Sequence, residues 1–138
     1  MGTYAVTADL EAVWGVDTIA EWANLENADP AVLAATRITS AITWAEGYLE
    51  ARMTDGPYKV PLSTSGGDLA VVKDVVARFA GQWLYVNRGR GKAEETDRVM
   101  AVAAFAERIV DKLLSGVLRL RTGTKAFTTP TAPVVEGT

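Results

Sequence analysis

The chain is 138 residues long, 49% hydrophobic and 22% charged, which fits one globular domain and argues against wholesale disorder. It has no cysteine and no histidine. That excludes disulfides, thiolate zinc sites and any Ser/His/Asp or Cys/His catalytic arrangement within the chain. The net charge of −3 is unevenly spread: Asp9, Glu11, Asp17, Glu21, Glu26 and Asp29 fall in the first 29 residues, which hold no Lys or Arg, and the remainder is net positive. Such a split suits charged surfaces that meet other subunits, and it suits a solvated acidic face equally well.

The opening Met1-Gly2-Thr3-Tyr4 lacks the basic region and apolar run of a secretory signal. No apolar run approaches the length of a membrane span, so no membrane partner is expected, and the lack of cysteine suits a cytosolic protein.

The spacing predicts a first short helix from Thr7 to Trp14, with Thr7 as N-cap, Asp9 and Glu11 in its first turn and Gly15 ending it. A second short helix is predicted from Asp17 or Thr18 through Ile19, Trp22 and Ala23, followed by a turn over 24–28. The third has the clearest start: Asp29 is an N-cap and Pro30 occupies the first helical position, where a missing N–H costs nothing. Leu33/Ala34, Ile38, Ala41/Ile42, Ala45 and Tyr48/Leu49 then recur at three- and four-residue steps to about Met53, a single apolar stripe.

Residues 54–67, rich in Pro and Gly, are predicted to be a loop, with Tyr58, Val60 and Leu62 apolar enough to pack onto the body. A fourth helix opens near Asp68 with Leu69, Val72, Val76, Phe79, Trp83 and Val86 on one seam, widened by Val71 and Val75. A fifth opens at Ala93 and buries Val99, Val102/Ala103, Ala106, Ile109/Val110 and Leu113. Gly116 is placed to end it. Val117-Leu118-Arg119-Leu120-Arg121 alternates with period two and reads as a short strand or extended arm. The Thr/Pro/Gly-rich 122–138 is expected to be disordered in the free monomer. The expected architecture is all-α: three long helices in a bundle preceded by two short ones, residues 1–116, with an extended C-terminal arm or tail over 117–138.

Three features bear on function. Arg88, Arg90 and Lys92 around Gly89 and Gly91 form the most basic patch, but the glycine spacing of a phosphate loop is absent. A solvated helix–helix turn, or contact with a subunit or DNA backbone, accounts for it. Glu94, Glu95 and Asp97 fall in a first helical turn, where the helix dipole favours carboxylates, and no calcium-loop pattern exists; no metal or cofactor is expected. Of the four tryptophans, Trp83 lies on an apolar seam. Trp14 and Trp22 sit on helices too short to form a core alone, which makes them either packing residues or anchors of an inter-subunit contact.

The order of these signals resembles a known family. Tyr4-x-x-Thr7-x-Asp9-Leu10 is followed by Trp14-Gly15, then a long helix ending Gly47-Tyr48-Leu49-Glu50-Ala51-Arg52. Next come Tyr58-x-x-Pro61-Leu62, a helix with Arg78-Phe79 and Trp83-Leu84-Tyr85, and Ser115-Gly116-Val117-Leu118-Arg119-Leu120. Over about residues 4–121 this resembles the Mu-type group of small head–tail adaptor proteins of tailed bacteriophages. It departs from the family pattern where Met53 through Pro57 separate Arg52 from Tyr58.

The resemblance implies a non-enzymatic virion protein, assembled in the host cytoplasm and located in the neck. Such a protein forms a ring, usually dodecameric, between the portal protein and a tail-completion or stopper protein, and DNA passes through its channel without sequence-specific contact. On that basis Asp9, Glu11, Trp14, Asp17, Glu21 and Trp22 are expected on one side of a subunit interface, with Arg78, Arg88 and Arg90 opposite. Val117, Leu118, Arg119, Leu120, Arg121 and Phe127 are expected to bind the portal or a neighbour, by strand addition with Phe127 as anchor. The alternative is a small helical nucleic-acid-binding packaging or regulatory protein using Arg88, Arg90, Lys92, Arg119, Arg121 and Lys125. Net acidity and the absence of a clear helix-turn-helix weigh against it.

Overall fold

The computed structural model describes residues 4–24, 35–56, 67–88 and 93–118, together with 58, 60, 62 and 120. Their regular structure is all helical, as the periodicity predicts: α1 (Thr7–Trp14), α2 (Val16–Ala23), α3 (Ala35–Thr54), α4 (Gly67–Arg88) and α5 (Ala93–Ser115). The third helix's predicted opening at Asp29-Pro30 and the tail beyond 120 lie outside the described residues.

The ends of the elements have local causes. Asp9 reaches back to accept the Val6 backbone N–H at 2.8 Å, and its own N–H donates to the Val6 carbonyl at 2.9 Å. Val6, in extended backbone, is thus the N-cap. Thr7, the predicted cap, is instead the first helical residue, because the Val6 carbonyl already accepts the Asp9 N–H and the Asp9 carboxylate fixes the Val6 N–H, so the first turn opens one residue earlier. Gly15 has φ +101° and turns the chain directly from α1 into α2, a backbone region that disfavours side chains. Gly116, φ +86°, ends α5 as predicted, and the Leu118 N–H donates to the Lys112 carbonyl at 3.1 Å.

The long elements are not equivalent. Helix α4 packs against all four others, and α3 also meets α5. On α3 the predicted stripe is buried at Ile38, Ala41, Ile42, Ala45, Leu49 and Met53. On α5, Val99, Ala103, Ala106, Val110 and Leu113 are buried, with Val102 and Ile109 at the margin. On α4 burial runs nearly all round: Val72, Val75, Val76, Ala77, Phe79, Ala80, Gly81, Leu84 and Tyr85.

The predicted α4 seam fails at its end, where Val86 is 53% exposed and Trp83 only partly buried. A seam read at 3.5-residue steps drifts around a 3.6-residue helix. Leu84 and Tyr85 take over because α1 and α2 cover a second side. Tyr58 and Leu62 pack down as expected, while Val60 is exposed.

The expected strand at 117–121 is not formed at its described positions. Residues 117 and 118 bend and are exposed, whereas Leu120 is 3% exposed and joins the core. Its N–H donates to the Tyr58 hydroxyl at 3.3 Å.

Candidate interaction surface

Three sets of side chains tie the elements together. The first is aromatic. Trp14 meets Trp22 edge-on at 5.1 Å, and Trp22 meets Tyr85 of α4 at 5.2 Å, both in the range of favourable aromatic pairs. The Trp14 indole N–H donates to the Ala77 carbonyl at 3.0 Å. Both tryptophans are buried, at 3% and 1%, so of the two open readings packing within the chain accounts for them. They present no anchor to a neighbour.

The second set holds the N-terminus. Glu46 of α3 accepts the backbone N–H of Tyr4 at 2.6 Å and of Ala5 at 3.2 Å. The Tyr4 hydroxyl donates to Glu50 and accepts the Leu62 N–H at 2.7 Å. Burial, followed by the hydrogen bond to Glu50, pushes the Tyr4 hydroxyl well above the usual phenol range.

The third joins α3 to α5: Arg52 pairs with Glu107 and, at 2.8 Å, with Asp111. The Tyr48 hydroxyl donates to Glu107 at 2.6 Å. That bond, then burial, raises its pKa.

The residues expected at a subunit interface divide sharply. Arg88 guanidinium donates to the backbone carbonyls of Glu21 and, at 2.7 Å, of Asn24. A cation thereby closes the negative end of α2. The acidic N-terminal segment and this arginine do meet, but within one chain and through backbone oxygens. Arg78 pairs with Asp74 at 2.8 Å and lies over the Phe105 ring at 4.6 Å. Asp9 is occupied by its cap and sits 3.7 Å from Lys73. Glu11 is half-buried, and Asp17 and Glu21 are exposed. Of the expected arm, Val117 and Leu118 are exposed while Leu120 is buried. Arg90, Arg119, Arg121 and Phe127 lie outside the described residues.

Of the expected set, Asp17, Glu21, Val117 and Leu118 remain open to a partner among the described residues. Besides Val117 and Leu118, exposed apolar side chains include Val16 on α2, Trp44 on α3 and Val86 on α4. Trp44, Gln82, Trp83, Val86 and Asn87 line a groove of about 350 Å³ between α3 and α4. A second groove, of about 390 Å³, runs beside Ala70, Val71, Val75, Ile109 and Leu118. From the sequence only Trp44's place off the α3 stripe was legible; that it joins Trp83 and Val86 in one apolar patch depends on how α3 packs on α4.

Among the described residues no cluster of three or more Asp or Glu is arranged to hold a metal, and no helix is long and apolar enough to cross a membrane. No protein-family model matches the chain, and no curated protein matches its sequence.

Proposed function

We propose that the chain is a structural virion protein of the head–tail adaptor type, forming a ring between the portal and the tail or stopper and extending the DNA channel. The finer architecture, a three-long-helix bundle carrying a C-terminal arm, belongs to this proposal, as does the non-enzymatic role.

One observation carries most of the support. The short motifs on which the family resemblance rests lie far apart in sequence yet are bonded to one another. Tyr4 of the opening motif binds Glu50 of the α3 motif and Leu62 of the loop motif, and Tyr58 of the loop motif binds Leu120 of the closing one. Residues with such mutual duties fit a common structural pattern better than chance matches do.

The nucleic-acid-binding alternative loses Arg88, which is committed to α2. The test is attachment. Purified protein added to DNA-filled heads that carry a portal but lack this chain should bind them and restore tail joining. Equal binding to heads without a portal, or salt-sensitive retention on DNA in place of head binding, would remove the adaptor reading.

A further inference from the structure

Arg37 is held differently from the paired arginines. Its guanidinium carbon lies 4.9 Å from the Trp83 ring centroid, and its Nε and Nη2 are buried with no hydrogen-bond partner among the described residues. Stacking on an indole favours the charge but satisfies none of the in-plane N–H groups, and a buried donor without an acceptor calls for an explanation. Trp83 also lines the groove with Trp44 and Val86, which are 42% and 53% exposed. Trp44 is fixed there by parallel stacking on Tyr48 at 5.3 Å. The groove thus offers an apolar floor beside an arginine whose Nε and Nη2 lack an acceptor among the described residues.

Helix α2 carries the complement. It buries Ile19, Trp22 and Ala23 and exposes Val16, Asp17 and Glu21. Asp17 and Glu21 are four residues apart and share a face; neither carboxylate is ion-paired among the described residues. This face does not meet the groove of its own chain. Trp22 and Arg88 hold α2 on the side of α4 that carries Ala77, Gly81 and Tyr85. At about 100° per residue, Trp83 and Val86 lie on the opposite side.

We infer that the occupant of the Trp44–Trp83–Val86 groove is α2 of a second copy of this chain, with Val16 against the indoles and Asp17 and Glu21 facing Arg37. Arg37 is half-buried as a residue, so its guanidinium, which lies over Trp83 in the single chain, can turn at the rim of the groove onto the incoming carboxylates. The contact joins two different surfaces and is therefore head-to-tail, the kind that closes into a ring or runs on as a filament. The inference rests on the ring reading above and names the surfaces that build it.

The chain contains no cysteine, so introduced cysteines report only the intended contact. Full-length protein carrying Asp17→Cys is mixed with full-length protein carrying Asn87→Cys, concentrated to its solubility limit and oxidised. The mixed disulfide should dominate, and the double variant should give a ladder of larger species. No mixed product, or homodimers of the single variants in its place, overturns the inference.

Arg37→Glu and Glu21→Arg should each lower the mixed yield about tenfold, and together restore most of it, because complementary charge sets register. Two losses without restoration would remove Arg37 from the contact even if each variant folds. If mixed cross-links form but micrographs show only open chains, the contact stands and the ring reading falls.

Discussion

Trp14 lies on Gly81: a Cβ built on that glycine would stand 2.0 Å from the indole nitrogen. The absence of a side chain on α4 is what lets α1 approach closely enough for the indole N–H to reach the Ala77 carbonyl one turn earlier. Gly81→Ala must displace the ring, a small-to-large change expected to cost about 1–3 kcal/mol. Trp14→Ala should cost about 3–5 kcal/mol. The two positions share one space, so the double variant should be no less stable than Trp14→Ala alone. Urea denaturation of the three variants checks this, and simple additivity would contradict it.

The raised pKa of Tyr4 and Tyr48 fixes a pH dependence. A phenol whose folded pKa lies above its unfolded value of about 10 contributes stability that is fully present below pH 10 and is lost as pH rises through the folded value. The melting temperature should therefore be insensitive to these groups between about pH 7 and 9 and fall above about pH 10. Tyr4→Phe should flatten that alkaline fall while lowering stability at neutral pH by about 1–3 kcal/mol, since the Leu62 N–H and Glu50 lose their partner. An unchanged alkaline profile would contradict the assignment to Tyr4.

Arg88→Ala should loosen α2 and leave the rest of the fold in place. The two carbonyls it binds close the end of α2, and hydrogen bonds to a charged group contribute about 1.5–3 kcal/mol. Hydrogen exchange should quicken at amides 19–24 and remain unchanged in α5. Uniform acceleration would mean the arginine serves the whole bundle.

Removing residues 117–138 should cost stability, although the sequence reads 117–121 as a partner-binding arm and 122–138 as a disordered tail. Leu120 is buried in the core and its N–H binds Tyr58. Leu120→Ala should lower stability by about 2–4 kcal/mol, and truncation after 116 by at least as much, whereas truncation after 121 should be nearly neutral by thermal melting. An unaffected melting temperature in the 117–138 deletion would contradict the placement of Leu120.

Helix existence and most buried faces were legible because apolar residues at three- and four-residue steps have one physical solution on a helix. The central position of α4 was not. Ala77, Ala80 and Gly81 are small and carry no hydrophobic signal, and their significance appears only when α1 lies across them. The reading of 117–121 as a short strand or extended arm rests on a period of two over five residues, a signal too short to show that Leu120 is buried beside Tyr58. The interface assignments paired acids with bases by charge alone. Arg88 and Arg78 already have acceptors within the chain, while Arg37, inconspicuous in the sequence, stacks on Trp83 with its Nε and Nη2 lacking an acceptor among the described residues.

The most direct measurement is a cryo-electron microscopy map of the neck in virions that carry this chain. A closed ring directly beneath the portal is expected, each subunit fitting the five helices, with α2 of one copy against the Trp44–Trp83 groove of the next. A resolved neck with no density for these helices, or the chain found only on packaged DNA, would contradict the account.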